Sequence, residues 1–441
     1  MGSRIWESRR EELAPYRRRD PASAELYRIV YQERDNLEHS WEEQFQQEYG
    51  ALRSEVLATL DAYLDCGILA HGCARAECEN PECKHSIIIP FSCKKRFCPS
   101  CAAKRAVIFA LHLEEEVLEP VPQWHIVLSI PKRLRIFFKY DRGLNDVLFA
   151  AAWRSIKEMF AVVLPQGLPG LVLCVQTSGE SLNFNIHLHG ILTAGVLDPM
   201  SNFHLLNRLD QDKLAQLFCH HVLRALQDRE LISDTVVAQI MGQRHSGFSA
   251  WLGEGVSPGD EDYRLFLARY IDRGPVAESR IEIVDDIVTY HTDKDGLTHE
   301  FSALEFLARL TPHIPRKWES TVRYFGYYSH RARGKRNKER AELEKANAEV
   351  LALNILPVVA EQKTKASKTW AALIKRVFEI DPLLCPRCKS NMIIKAFITD
   401  PAEVKRLLDH LAVTGFEKPQ PISGPDPPVR IIYEPEYLQN S

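Results

Sequence analysis

The spacing of apolar and polar positions divides the chain into a helical start, a strand-rich middle and a charged, helical end. Residues 1–62 place apolar side chains three and four apart, as in LEHSWEEQFQQEY and ALRSEVLATLDAYL, which predicts amphipathic helices. Between 119 and 200 the pattern changes. QWHIVLSI (123–130) is a strand-like apolar run that stops at Pro131, and NDVLFAAAWRSIKEMFAVVL reads as a helix. LVLCVQTS (171–178), the turn GESLN and FNIHLHGILT (184–193) follow as two strands close enough for a hairpin. This strand–helix–strand–strand order predicts an α+β fold, an antiparallel sheet with helices on one face. The last strand is apolar on either side of its histidines and is expected near the centre of the sheet.

Further along, a helix is predicted over about 203–230; His220 and His221 on it read as packing or surface residues. Apolar residues at 265, 266, 267, 268 and 271 mark another helix, which stops near Gly274-Pro275. Tyr270 stands in its last turn, flanked by Arg269 and Arg273. SRIEIVDDIVTYHTDKDGLTHEFSALEFLARL reads as two strands around an Asp-Gly turn running into a helix. The pattern gives four expected regions: a helical segment (1–62), a small cysteine-rich domain (63–110), an α+β domain (115–330), and a charged helical linker and tail (331–441).

Composition adds limits. At 441 residues, 45% apolar and 26% charged, the chain is long enough for two or three domains and ordinary for a soluble protein. No apolar run approaches the 18 or so residues of a membrane span, and MGSRIWESRREELAPYRRRD lacks the apolar core of a secretory signal. A cytoplasmic protein without a membrane partner is expected. The net charge of −3 says little, but KKR (94–96), PKRLRIFFK (131–139) and RARGKRNKER (331–340) are local basic patches. They suit a groove for a polyanion, or are ordinary solvated faces. HIPRKWESTVRYFGYYSHRAR mixes basic and aromatic residues in a way suited to nucleic-acid backbones and stacked bases.

Three groups of residues carry candidate chemistry. On a strand, His187 and His189 share one face while Leu188 points to the other, so both imidazoles can reach one divalent metal ion. Seven of the eleven cysteines fall between Cys66 and Cys101, which points to metal rather than to disulfides. Cys98-Pro-Ser-Cys101 is a tight C-x2-C knuckle and Cys78–Cys83 a wider C-x4-C turn, joined through the strand-like SIIIPFS. Together Cys78, Cys83, Cys98 and Cys101 suggest a structural four-thiolate Zn²⁺ site, with Cys66, Cys73 and Cys93 left as substitutes or buried thiols. The tail adds Cys385-Pro-Arg-Cys388, which alone cannot complete a site and either borrows ligands or is a remnant. Two metal-binding histidines, a tyrosine and basic surroundings suit phosphodiester cleavage with the tyrosine as nucleophile. Arg269 and Arg273 are candidates to stabilise charge on the phosphate oxygens.

Six fragments in order carry a resemblance: the cysteine cluster ending SCKKRFCPSC, QWHIVLSIPKRLR, LNFNIHLHGILTAG, LARYIDRGPVAESRI, RLTPHIPRKWESTVRYFGYYSHRAR and VFEIDPLLCPRCKSNMIIKAFI. The chain closely resembles the rolling-circle insertion-sequence transposases with HUH endonuclease chemistry, of the insertion-sequence-91 type. The resemblance implies a central HUH-type sheet with a zinc-binding domain before it. It implies His187 and His189 as ligands of Mg²⁺ or Mn²⁺, Tyr270 as the nucleophile, and the Cys78–Cys101 region as a zinc domain that helps recognise DNA. The implied activity is nicking and rejoining of single-stranded DNA at element ends through a 5′-phosphotyrosine, in a prokaryotic, nucleoid-associated setting. A replication initiator or relaxase of the same chemistry, and a silent zinc-ribbon DNA-binding protein, are the alternatives.

The sequence departs from that pattern in places. Members with two catalytic tyrosines carry them four residues apart; the earlier position here is Phe266, which implies the single-tyrosine branch. Tyr263 lies about two turns before Tyr270. The C-x4-C spacing is wider than usual, and the third metal ligand is unread, with Gln176 and Glu180 as candidates.

Overall fold

The strand that carries His187 and His189 is the middle one of a five-stranded antiparallel sheet. The structure is a computed structural model and describes residues 14–15, 20–162, 164–292, 297–353, 380–381 and 384–413. Its principal elements begin with helices α1 (Glu25–Ser40) and α2 (Ser54–Leu64), strands β1 (Cys73–Cys78) and β2 (Ser86–Pro90), and helix α3 (Pro99–His112). Strand β3 (Gln123–Ser129), helices α4 (Lys132–Tyr140) and α5 (Asn145–Ala161), and the hairpin β4 (Gly170–Ser178) and β5 (Phe184–Thr193) follow. Then come α6 (Gln211–Gln227), β6 (Ser249–Val256) and α7 (Glu261–Ile271), and after them β7 (Ile281–Val284), β8 (Ile287–His291), β9 (Thr298–Ser302) and α8 (Ala303–Leu310). The chain ends in β10 (Val322–Gly326), α9 (His330–Leu353), β11 (Met392–Ile398) and α10 (Pro401–Val413).

The central sheet has the order β10-β4-β5-β3-β6. In the predicted hairpin, Gln176 lies opposite His187 and Cys174 opposite His189; on the other side β3 sets Ser129 and Val127 against the same pair. Alternation gives the sheet two faces. Ile126, Leu128, Leu173, Val175, Leu188 and Leu192 point one way and bury themselves against α5 and α6, on Leu148, Ala152, Phe218 and Val222. Val172, Cys174 and Ile191 point the other way, toward Phe109 and Ala110 of α3 and Leu267, Ala268 and Ile271 of α7. Helices therefore cover both faces, where the sequence pattern predicted one. The reason is that α3 and α7, the second layer, lie far from the hairpin in sequence.

The cysteine-rich region forms a sheet of order β11-β1-β2. Strand β11 returns from the C-terminal tail and pairs antiparallel with β1, from Met392 opposite Cys78 to Ile398 opposite Cys73. Helices α1 and α2 share a core with α8 and the small sheet β7-β8-β9, through Leu26, Leu60, Tyr63, Val288, Phe306 and Leu310. That sheet has three strands, where two were predicted. The extra hairpin turns at Asp285 and Asp286, with φ of 49° and 63°, a left-handed pair that aspartate tolerates. The predicted Asp-Gly turn at 295–296 lies outside the described residues. Among the described residues, no helix is long and apolar enough to cross a membrane.

Candidate active site and zinc centres

Three histidines, not two, meet on the face of the central sheet that α7 covers. His187 and His189 alternate along β5, and His125 joins them from β3. His125 Nε2 stands 3.1 Å from His189 Nδ1, with the two rings nearly parallel at 5.3 Å between centroids. The His187 ring packs 4.8 Å from that of His189, and its Nδ1 donates to the Asn185 carbonyl at 2.7 Å. That bond fixes Nε2 as the lone-pair nitrogen of His187. All three side chains are buried. Burial pushes His125 down to about 3 and His187 to about 4, and His189 well below the ordinary histidine range; the Arg273 charge works in the same direction. Near neutral pH the imidazoles are uncharged, the form that binds metal. Gly190 follows His189 for lack of space: a Cβ there would lie 2.4 Å from the Val172 carbonyl oxygen on β4.

Tyr270 closes the cluster from α7. Its ring meets His189 and His125 edge-on, at 5.4 and 5.8 Å between centroids. The Arg273 guanidinium lies 4.6 Å from the centre of the same ring. Arg269 is exposed to solvent. The side chains of Phe266 and Tyr263 lie outside those described. Sequence reading missed His125. Its signal was a polar residue inside the apolar run QWHIVLSI, on the same side of its strand as Val127, which faces His189.

The end of α7 is held from both sides. From the sheet, Gln176 Nε2 donates to the carbonyls of Tyr270 and Ile271, both at 3.2 Å. From the cysteine-rich side, Arg96 pairs with the fully buried Asp272 at 3.0 Å and donates to the Arg273 carbonyl at 3.1 Å. Arg105 of α3 takes the other Asp272 oxygen at 3.1 Å. Gln176, a candidate third ligand from the sequence, thus spends its amide N–H groups on positioning Tyr270, and Glu180 is exposed.

The cysteines assemble differently from the predicted quartet. Cys98 and Cys101 join Cys66 and Cys93, whereas Cys78 and Cys83 join Cys385 and Cys388; in each group the four sulfurs lie within 4.8 Å of one another. The correction has a simple cause. The β1–β2 hairpin carries Cys78 and Cys83 to its far end, away from the start of α3. Pairing of β11 with β1 delivers the tail knuckle there, with Met392 opposite Cys78. Four thiolates about 2.3 Å from a tetrahedral Zn²⁺ stand roughly 3.8 Å apart. In the first quartet Cys66 lies 3.8 Å from Cys98 and 3.7 Å from Cys101, and Cys93 lies 3.6 Å from Cys101. The second shows 3.4 Å for Cys78–Cys388 and 3.7 Å for Cys83–Cys385. Both sets fit zinc. Amide N–H groups of Cys93 and Lys95 point at the sulfurs of Cys66 and Cys93, as thiolates require. Among the described residues these quartets are the groups that bring three or more ligand atoms so close; the three imidazoles form a looser set. Within it, 3.1 Å between His125 and His189 nitrogens matches two cis ligands each about 2.1 Å from an octahedral ion.

Comparison with known proteins accords with this arrangement. Residues 37–130 match the family described as "Transposase zinc-binding domain", which spans both knuckles of the N-terminal region. Residues 170–336 match the family described as "Putative transposase", which spans the two-histidine strand and Tyr270. The chain is similar to the transposase for insertion sequence element IS801 of Pseudomonas savastanoi pv. phaseolicola, 25% identical over 80% of this chain and 86% of that protein. It is also similar to "Putative transposase y4qJ" of Sinorhizobium fredii, 22% identical over 72% of this chain and 84% of that protein. No solved structure matches the chain. The chain thus carries a transposase zinc-binding module and a transposase module in this order, and over most of its length it is similar to an insertion-sequence transposase.

Proposed function

We propose that the protein nicks and rejoins single-stranded DNA at the ends of its mobile element through a covalent 5′-phosphotyrosine on Tyr270. The observation that carries this reading is the position of the Tyr270 ring, against the neutral imidazoles of His125 and His189 and beneath the Arg273 guanidinium. In the first step the phenol oxygen attacks the scissile phosphorus. The P–O bond to the 3′ side breaks, the phenol gives up its proton, and the departing 3′ oxygen takes one up. The phosphodiester energy stays in the phosphotyrosine, so a free 3′-hydroxyl reverses the step and joins a new strand. Arg273 balances charge on the phosphate oxygens.

His187 and His189, with His125 beside them, would hold a divalent ion, which when bound supplies Lewis-acid polarisation of the phosphate. Nitrogen donors suit Mn²⁺ better than Mg²⁺, whose preference is for oxygen. Gln176 and the Arg96–Asp272 pair set the height and tilt of the Tyr270 ring against that cluster. The test is to incubate the protein with single-stranded element-end oligonucleotides and Mn²⁺. An adduct that survives denaturation is expected; it disappears in Tyr270→Phe and falls sharply in His187→Ala. An adduct that persists in Tyr270→Phe moves the nucleophile elsewhere.

A further inference from the structure

Next to the tyrosine site is a small cleft, partly open to solvent, lined by Arg96, Arg142, Gln176, Thr177, Arg273 and His313 among others. Its charge is unbalanced. Arg142 is buried; its Nε pairs with Glu319 at 3.4 Å, yet its Nη1 has no hydrogen-bond partner. Arg53 lies near it, with Nη2 given to the carbonyls of Thr311 and Ile314 at 2.9 and 2.8 Å and Nη1 again buried without a partner. The carboxylates near this group are Glu319 and Asp272, with Glu55 beside Arg53. Glu319 is already engaged by Asn145 at 2.8 Å and by the Arg316 amide, and Asp272 by Arg96 and Arg105. A buried guanidinium N–H left unsatisfied keeps its desolvation penalty with nothing to offset it. Burial accordingly lowers the basicity of both Arg142 and Arg53.

The walls are fixed. His313 Nε2 donates to the Leu182 carbonyl at 3.0 Å, so its Nδ1 accepts from the Thr177 hydroxyl at 3.1 Å, and the ring brings no charge of its own. Gln176 and Arg273 are shared with the tyrosine site: one holds the Tyr270 carbonyl, the other covers the Tyr270 ring. A strand entering the tyrosine site therefore passes the mouth of this cleft.

We infer that the cleft binds a second backbone phosphate of the single-stranded DNA, a neighbour of the one that Tyr270 attacks, with Arg142 as its buried charged ligand. The inference rests on the reading of Tyr270 as the nucleophile and fixes the strand on one side of the cut. The ligand is a phosphodiester monoanion. It satisfies the Arg142 Nη1 and offsets the excess of guanidinium over carboxylate.

The experiment uses the full-length, zinc-loaded protein as Tyr270→Phe, so that binding is read without cutting. A labelled element-end single strand is scanned with methylphosphonate, one neutral linkage at a time, and affinity is measured by anisotropy. Neutralising one or two adjacent linkages beside the nick position should weaken binding about tenfold, and others twofold or less. Adding Arg142→Gln should erase that position-specific effect while the rest of the scan is unchanged. Arg142→Lys, which keeps the charge, should retain part of it and serves if Gln impairs folding. A flat scan, or a sensitive linkage that stays sensitive in Arg142→Gln, overturns the inference. Competition by millimolar inorganic phosphate with a flat scan would make this a free-phosphate site, which overturns it too. Because no cutting is involved, these outcomes are separate from the adduct test of Tyr270.

Discussion

Arg96 and Asp272 lie 3.0 Å apart, and through them the first cysteine knuckle grips the end of the helix that carries Tyr270. Arg96 sits between Cys93 and Cys98 of the first quartet, and Asp272 follows Tyr270 by two residues. Gly274 permits the approach: a Cβ there would come within 2.9 Å of the Ala102 Cβ on α3. The zinc-binding domain is thus more than an appendage. It is one wall of the tyrosine site.

Asp272→Asn should therefore be costly. The side chain is fully buried and Arg96 nearly so, so removing the charge leaves a buried guanidinium without its counter-ion, a loss of about 3–5 kcal/mol. Arg105→Ala should cost about 1 kcal/mol or less, because Arg105 is half exposed and its pair is screened by water. Chemical denaturation of the two variants checks the contrast; equal losses would mean that Asp272 is held mainly by Arg105.

Two zinc ions per chain are expected, one in each quartet. Elemental analysis of the full chain should give two; Cys385→Ser or Cys388→Ser should give one, with Cys66, Cys93, Cys98 and Cys101 still loaded. Loss of the first quartet in Cys93→Ser should also reduce adduct formation, since Arg96 is then untethered. Loss of the second should act on the pairing of β11 with β1 and leave the tyrosine site alone. A single zinc in the unaltered chain would exclude the closed second quartet.

What the sequence could convey divides by range. The hairpin β4–β5, its central place and the helix bearing Tyr270 follow from local patterns, and each is present. His125 escaped notice because one polar residue in an apolar strand is a weak local signal; its meaning appears only when β3 pairs with β5. The quartets fail the same way. Cys78 and Cys98 are close in sequence, while Cys388 is about 300 residues from Cys78, and only the β11–β1 register joins them. Spacing within a knuckle was legible, and partnership between knuckles was not.

Stability should fall with acid between about pH 6.5 and 4, and His313 should carry an identifiable share. Burial lowers His313 to about 4, so in that window the unfolded chain binds a proton that the folded chain refuses. The contribution is fully present above about pH 6.5 and is lost as pH falls, by up to about 1.4 kcal/mol per pH unit. His313→Gln, which can still bridge Thr177 and the Leu182 carbonyl, should flatten that slope. A slope unchanged in the variant would place the acid sensitivity in the histidines beneath Tyr270.

Gln176 offers a test of positioning apart from chemistry. It lies opposite His187 in the sheet, and its amide donates to the carbonyls of Tyr270 and Ile271, so one side chain sets the spacing between the histidine cluster and Tyr270. Leucine fills similar volume but cannot donate. The two carbonyls would lose a partner, and the end of α7 would shift on the sheet. A shift of about 1 Å in a reacting group is enough to cost about a hundredfold in rate. Gln176→Leu should therefore slow adduct formation ten- to hundredfold while single-strand affinity, measured with Tyr270→Phe as background, stays within about twofold. Gln176→Glu tests the alternative role. A carboxylate cannot donate to the carbonyls but is a stronger ligand for a divalent ion. If Gln176 were a metal ligand first, Glu would retain activity and shift the metal dependence. If its task is to hold α7, Glu should fail like Leu at every Mn²⁺ concentration.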